Sequence, residues 1–173
     1  MVRYWRSSCR ASERENRILK VPTTTKARFI EPMLLLRMEK LPKGSEWQIE
    51  LKLDGYRELA FKTGGKVHLR SRNDNDFNTR YPGLVKALAS MPDETVIDGE
   101  VVALDADGRP SFNTLQNYGS GIAPLHFFMF DLLVLKGKDV TAEPLRRRRE
   151  MMESSSCRIW LTRSGILLSC LEA

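Results

Sequence analysis

The sequence is poor in cysteine and histidine, with three Cys and two His among 173 residues. The cysteines (Cys9, Cys157 and Cys170) are too scattered for a zinc site or a disulfide framework. We therefore expect a reducing, cytoplasmic setting as the default.

Long apolar runs are also missing. No stretch reaches the roughly 20 apolar residues of a membrane span, and the run from Ile159 to Leu171 is short and contains Arg163. The N-terminal residues are basic without an apolar signal core, so secretion is not expected. We predict no membrane partner.

What the chain does have is a core-forming composition and a positive charge. Hydrophobic residues make up 42% of the chain and the net charge is +6. That composition suffices for the core of one domain. The charge favours polyanionic partners without identifying them, and a mildly basic protein with no such partner stays an open alternative.

Residues 50–57 carry the most informative pattern, Glu-Leu-Lys-Leu-Asp-Gly-Tyr-Arg. Apolar residues alternate with polar ones up to Asp54, which predicts a half-buried strand whose wet face carries acid, amine and acid in a row. Gly55 then ends the strand, and Arg57 begins a second alternating run. The pattern fits either a solvated sheet face with ordinary ion pairs or a nucleophilic lysine, which needs desolvation, a nearby guanidinium or a metal ion.

A second strand is predicted from Thr95 to Leu104, apolar except for Asp98 and Glu100. Burying two carboxylates costs several kcal/mol unless each has a partner such as a cation, a hydroxyl donor or a metal. The alternative is an exposed edge face, which the apolar flanks disfavour. Further along, Leu125–Leu135 predicts a central strand, and Arg146–Arg149 predicts a helix with a solvated basic face.

Four motifs in this order resemble those of the ATP-dependent DNA ligases, a superfamily that includes RNA ligases and messenger RNA capping enzymes. They are Glu-x-Lys-x-Asp-Gly-x-Arg at residues 50–57, Ser-Arg-Asn at 71–73, Ile-Asp-Gly-Glu-Val-Val at 97–102 and Phe-Met-Phe-Asp-Leu-Leu at 128–133. The context, including Phe-Ile-Glu-Pro-Met-Leu at 29–34, is most similar to bacterial non-homologous end-joining ligases.

The resemblance implies a nucleotidyl transfer centred on Lys52. Its amine would attack the α-phosphate of ATP, form a lysine-AMP intermediate and release pyrophosphate. Glu50 matches the glutamate beside the adenine ring. Asp54 would orient Lys52 or help to hold a divalent metal, Mg or Mn, which the phosphate chemistry implies.

Four further residues match the nucleotide pocket of the family. Arg57 matches its arginine, and Arg72 matches the arginine near the ribose and phosphates. Glu100 matches the glutamate that binds the ribose or lies near the metal. Phe130 matches the aromatic residue that stacks on adenine.

The resemblance also implies a fold and partners. The expected fold is α+β, with twisted antiparallel sheets and flanking helices in the nucleotidyltransferase arrangement, incomplete at its C-terminal end. The expected partners are DNA with nicks or ends and, further, end-joining repair proteins. We expect a monomer.

The sequence departs from the family after Leu135. A further Glu-Gly motif, a Lys-x-Lys strand motif and an oligonucleotide-binding domain are not found there in a credible setting. We therefore divide the chain into a mobile basic arm (1–27), a partial adenylation domain (28–150) and a divergent tail (151–173). Weak ATP binding and slow or absent self-adenylation are expected.

Three other interpretations remain open from sequence. An RNA ligase or capping-type transferase would use the same chemistry, and GTP labelling would identify the latter. A catalytically inactive module that binds DNA ends would bind DNA in a salt-sensitive way without need of Lys52. A non-functional remnant would lack an ordered core.

Overall fold

The computed structural model describes residues 2–6, 24–33, 47–119, 124–154 and 167–170, and for 2–6, 47–51, 154 and 167–170 it describes the backbone alone. None of the helices in these ranges is long and apolar enough to cross a membrane.

Within the described ranges two sheets form the framework, and their strands are antiparallel except for β8. The smaller one pairs β1 (Val2–Arg6) with β2 (Trp47–Leu51). The larger one has the order β4-β3-β5-β6-β7, and β8 joins β6 in parallel. Its strands are β3 (Tyr56–Thr63), β4 (Lys66–Ser71), β5 (Thr95–Ala103), β6 (Leu125–Leu135), β7 (Lys138–Asp139) and β8 (Leu167–Cys170).

Three short helices connect these strands. They are α1 (Pro82–Ala87), which continues as a 3-10 turn at Leu88–Ser90, α2 (Phe112–Gln116) and α3 (Leu145–Ser154). Ser111 caps α2, since its Oγ accepts a hydrogen bond from the Thr114 amide at 3.3 Å. The α+β architecture predicted from the motifs is confirmed.

The hairpin between β3 and β4 follows from two glycines. Thr63 faces Lys66 across the turn, and Gly64 and Gly65 have φ angles of +56° and +75°. Positive φ at both central positions is the conformation that two-residue hairpin loops require, and glycine adopts it without steric cost. The two glycines therefore close the β3–β4 hairpin.

Successive side chains of a strand point to opposite sides, so the large sheet has two distinct faces. On one, the helix face, strand residues such as Ala60 and Ile97 pack with Leu84, Leu115 and Met152 from the helices. On the opposite face a smaller cluster forms from the strands and from residues 24–33, and it comprises Ala27, Leu59, Phe61, Val96, Leu133 and Val134, with Phe29 and Ile30 against it.

Residues 24–33, the covering segment, lie on that opposite face and are anchored by Glu94. The Ala27 amide donates to one carboxylate oxygen of Glu94 at 2.5 Å, and the Thr63 hydroxyl donates to the other at 2.8 Å. The Thr25 amide adds a bond of 2.8 Å to the Gly137 carbonyl. The anchor joins the covering segment to the end of the β3–β4 hairpin.

Asn78 covers the outer edge of β4. Its amide oxygen accepts from the Leu69 backbone at 2.7 Å, and its amide nitrogen donates to the Val67 carbonyl at 2.9 Å. The Phe77 amide donates to the Leu69 carbonyl at 3.0 Å. Backbone groups that would otherwise face solvent at this edge are therefore satisfied by the chain itself.

The predicted domain limits at residues 28 and 150 stay a prediction. Within the predicted arm, Val2–Arg6 forms β1, and residues 7–23 lie outside the described residues. At the other end α3 continues to Ser154, and most of the predicted tail is outside the described residues as well.

A buried acid lies on the helix face of β3. Glu58 is fully buried, and neither carboxyl oxygen has a hydrogen-bond partner among the described residues. Its charged neighbour Arg80 lies against the rings of Tyr56, Phe77 and Tyr81 at 5.4–5.7 Å. Burial raises the pKa of Glu58 from 4.5 to about 9, although Arg80 opposes the rise. Glu58 is therefore protonated in the folded chain at neutral pH.

We predict that Glu58→Gln stabilises the fold in alkaline solution. Between pH 4.5 and about 9 the Glu58 carboxyl is protonated in the folded chain and ionised in the unfolded chain. The stability that this proton contributes is therefore complete below pH 4.5, and it falls by about 1.4 kcal/mol for each pH unit through that window. Urea unfolding at pH 5, 7 and 9 should show an advantage for the variant that grows with pH. Exposed Glu153→Gln is the control, and parallel pH profiles for wild type and Glu58→Gln would refute the prediction.

Candidate nucleotide site

The predicted nucleophile lies in the bend between β2 and β3. Lys52 and Asp54 are both exposed there. The next residue, Gly55, is pressed against β5, because a Cβ atom at this position would clash with the Val101 carbonyl and lie 3.0 Å from Cγ of Glu100. Glycine at this point therefore allows the lysine loop to lie directly against the strand that carries the predicted acids.

Arg57 and Asp98 form the central ion pair of the opposite face. Nε and Nη2 of Arg57 donate to the two carboxylate oxygens of Asp98 at 3.1 and 2.6 Å. The side chains are only 11% and 3% exposed. Two parallel bonds of this kind fix the guanidinium plane as well as its position. The partner that sequence analysis required for Asp98 is thus Arg57.

Two further contacts of Arg57 define the surroundings of the site. Nη1 donates to the Met33 carbonyl at 2.8 Å, which ties the covering segment to the ion pair. The guanidinium carbon lies 5.3 Å from the centre of the Phe130 ring, within the range of a cation–π contact. One side chain therefore joins β3, β5, β6 and the covering segment.

Glu100 lies next to this group. It faces Arg57 in the register of β3 and β5, on the same face as Asp98, and it is 3% exposed. Arg72 follows β4 and has an exposed side chain, while its amide donates to the Arg57 carbonyl at 3.2 Å. Glu50 lies in β2, but its side chain is outside the described residues.

The structure thus brings Arg57, Asp98 and Phe130 into contact and places Glu100 beside them. It positions Arg72 through its backbone alone, and it leaves Lys52 and Asp54 exposed at the entrance to β3. The functional roles assigned to these residues from sequence stay predictions.

The Phe130 ring is covered in this conformation, since the residue is 3% exposed. A base can stack on the ring only after the covering groups move. Arg57 is one such group, because its guanidinium lies over the ring. Nucleotide binding in this pocket would therefore change the environment of Phe130.

Sequence analysis missed two residues behind Phe130. The prediction of a solvated basic face on α3 is wrong for Arg148 and Arg149, which are each 9% exposed. Arg148 donates to both oxygens of Asp131 at 2.8 and 2.9 Å, and Nε of Arg149 donates to the Phe130 carbonyl at 3.0 Å.

Helical spacing contained the signal for this burial. The buried residues of α3 follow the i, i+3, i+4, i+7 pattern of one helix face, and they are Leu145, Arg148, Arg149 and Met152. Burial also raises the pKa of Asp131 to about 6, with Arg148 opposing the rise.

The carboxylates fit a divalent ion only in combination with a phosphate ligand. Among the described residues no group of three or more His, Cys, Asp or Glu side chains could hold a metal. Magnesium in nucleotide sites is commonly bound by one or two carboxylates together with substrate phosphates. Asp54 is exposed and Glu100 is buried, and their roles as ligands of such an ion stay a prediction.

The α+β fold and the order of the motifs agree with the nucleotidyltransferase class that the sequence resemblance implied. Residues 32–157 match the family model of the ATP dependent DNA ligase domain. The chain belongs to this family.

Curated relatives agree with this assignment. The chain is 42% identical over 130 residues to the multifunctional non-homologous end joining protein LigD of Pseudomonas aeruginosa, a match that covers 73% of this chain and 15% of LigD. It is 36% identical over 137 residues to DNA ligase C2 of Mycolicibacterium smegmatis, covering 73% and 38% of the two chains. The chain thus spans well under half the length of these relatives.

A solved structure is similar as well. The mycobacterial DNA ligase D complexed with ATP and MES superposes with a TM-score of 0.55 at 34% identity, over 68% of this chain and 38% of that one. The family resemblance and the nucleotidyltransferase fold expected from the motifs are therefore confirmed. Because these relatives are DNA ligases, the two alternatives of an RNA ligase or capping enzyme and of an inactive DNA-end-binding module are not favoured.

We predict that Asp98→Asn destabilises the fold by about 3 kcal/mol, because Arg57 would keep its charge in a largely buried position without the carboxylate that binds it through two hydrogen bonds. Urea unfolding at pH 7 measures the loss. The matched control is Glu150→Gln, which removes an exposed acid paired with Arg146 and Arg147 at 3.6 and 3.0 Å, and it should cost under about 1 kcal/mol. Equal losses in the two variants would contradict the central role of the Arg57–Asp98 pair.

Proposed function

We propose that this chain is the adenylation part of an ATP-dependent DNA ligase that acts on nicked or broken DNA. The Lys52 amine, after losing a proton, attacks the α-phosphorus of ATP. A phosphorus–nitrogen bond forms, the bond to the bridging oxygen of the β-phosphate breaks, and pyrophosphate leaves. The AMP then passes to a 5′-phosphate of DNA, and the 3′-hydroxyl of the adjoining strand displaces it.

The observation that supports this proposal is the contact of Arg57 with Asp98 and Phe130 directly after the lysine loop. The aromatic ring can stack on the base, and the guanidinium can bind phosphate or ribose oxygens. The buried acid can accept hydrogen bonds from the sugar hydroxyls. Glu100 beside Arg57 adds a second acid for the sugar, and Arg72 adds an exposed cation near the rim.

A divalent ion, Mg or Mn, completes the proposal. When bound, it would neutralise charge on the phosphate oxygens during the transfer. Asp54 and Glu100 would hold it together with the nucleotide. The chain's net charge of +6 suits DNA as the acceptor. End-joining repair proteins as partners, a monomeric state and a cytoplasmic location are also part of the proposal.

The first test is transfer of AMP to Lys52. Incubation of the chain with ATP and Mg, followed by intact-mass and peptide mass spectrometry, should show slow addition of one AMP at Lys52. Lys52→Arg should abolish the addition, because the guanidinium is a poor nucleophile at neutral pH. Lys66→Arg, at the exposed first residue of β4, should leave it unchanged.

Several outcomes would count against the proposal. AMP on another lysine, or addition that survives Lys52→Arg, would remove Lys52 from its role. Addition of GMP from GTP in preference to AMP would favour a capping-type transferase. No addition by a chain that circular dichroism shows to be folded would refute adenylation by this chain.

The second test concerns base stacking. Phe130→Leu should weaken ATP binding by roughly tenfold, because stacking on an aromatic side chain is worth about 1–3 kcal/mol per base. Phe128→Leu is the matched control, since Phe128 lies two residues away on β6 and its ring stacks on His126 at 6.0 Å instead. Isothermal titration with ATP measures both. Equal affinities of the two variants would place the base elsewhere.

A further inference from the structure

Phe130 occupies an irregular position in its strand. Asp98 and Gly99 are consecutive on β5, yet their partners on β6 are Asp131 and Met129. The register therefore shifts by one residue at Phe130, which lies at a β-bulge between these two pairs. Bulges of this kind re-aim a side chain and interrupt the ladder of backbone hydrogen bonds.

The bulge directs the ring and the backbone of Phe130 to different partners. The ring lies under Arg57 on the opposite face. The carbonyl accepts the Arg149 Nε hydrogen bond of 3.0 Å, which comes from α3 on the helix face. Losing the donor of a buried carbonyl costs about 1–3 kcal/mol, so this bond ties the backbone of Phe130 to α3.

Arg148 holds the residue that follows the bulge. Besides its two bonds to Asp131, its Nη1 donates to the Thr141 and Glu143 carbonyls at 2.9 and 3.2 Å. These bonds fix α3 relative to β6 and the turn after β7. Because Arg148 fixes the position of α3, the neighbouring Arg149 side chain is held where its Nε can bond to the Phe130 carbonyl.

We propose that Arg149 is a positioning residue for the nucleotide base. By holding the Phe130 carbonyl from behind the sheet, it fixes the bulge and so the plane in which the Phe130 ring meets a base. It touches no nucleotide itself. This inference rests on the proposed function for the identity of the ligand, but the coupling between Arg149 and the Phe130 ring is measurable without it.

Three variants of α3 test whether the hydrogen-bond donor of Arg149 is needed. Arg149→Met keeps most of the apolar stem and removes the donor. Arg149→Gln restores a donor, because the amide nitrogen of Gln is as many bonds from Cα as Nε of Arg. Arg147→Met is the matched control on the same helix, since Arg147 is exposed and its recorded partner is Glu150.

Two measurements separate positioning from packing. Fluorine NMR of 4-fluorophenylalanine placed at position 130 reports the ring environment without any ligand. Isothermal titration with ATP, and in parallel with inorganic tripolyphosphate, separates recognition of the base from recognition of phosphate.

We expect Arg149→Met to shift or broaden the fluorine resonance and to weaken ATP binding roughly tenfold, with tripolyphosphate binding unchanged. Arg149→Gln should restore much of both signals, and Arg147→Met should change neither. A thermal unfolding curve for each variant identifies any general loss of structure.

The proposal is overturned if Arg149→Met leaves the fluorine resonance and the ATP affinity as in wild type, whatever its melting temperature. If Arg149→Met does not fold, Arg149→Leu, which also lacks a donor, replaces it, and an unchanged resonance there has the same meaning. Failure of wild type to bind ATP would refute the proposed function alone, because the fluorine signal would still decide whether Arg149 positions the ring.

Discussion

The ion pair between Arg57 and Asp98 is the constraint on which the rest of the site depends. A guanidinium that is 11% exposed is expensive to desolvate, and it is retained because two parallel hydrogen bonds to a buried carboxylate offset that cost. Nη1 of Arg57 then donates to the Met33 carbonyl, and the cation lies over Phe130. One charge therefore fixes the relation of three strands and the covering segment.

The middle of the large sheet carries a second buried acid directly beside the first. Asp98 and Asp131 are partners in the register of β5 and β6, so two carboxylates lie on neighbouring strands. Asp98 contributes to the raised pKa of Asp131, as expected for like charges at short range. Arg57 on β3 is bonded to Asp98, and Arg148 on α3 is bonded to Asp131. Each of the two buried acids thus has an arginine of its own as counterion.

Much of this arrangement was predictable from the sequence. The alternation of apolar and polar residues predicts the strands that carry Arg57 and Asp98, and the Gly64-Gly65 pair is typical of a hairpin turn. The order of the motifs predicts the fold. The bulge at Phe130 was not predictable, because it arises from the register between two strands rather than from the residues of one strand.

The burial of the two arginines on α3 was missed for a different reason. Four consecutive arginines indicate a solvated face by composition, whereas their partners Asp131 and the Phe130 carbonyl lie on a strand some 17 to 19 residues earlier in the chain. Only the helical spacing of Arg148 and Arg149 with Leu145 and Met152 indicated a buried face. The sequence prediction followed the charge of the arginines instead and placed them in solvent. Glu58 was missed likewise, because a single acid in a strand carries no signal of its burial.

Asn78 has a consequence for the behaviour of the chain at high concentration. An edge strand with free amides and carbonyls is a template to which another molecule can add a strand. At β4 the Asn78 side chain occupies the places of the incoming amide and carbonyl at Leu69 and Val67. A neighbouring molecule would first have to displace a side chain that is held from both ends, so self-assembly by strand addition is directed away from this edge.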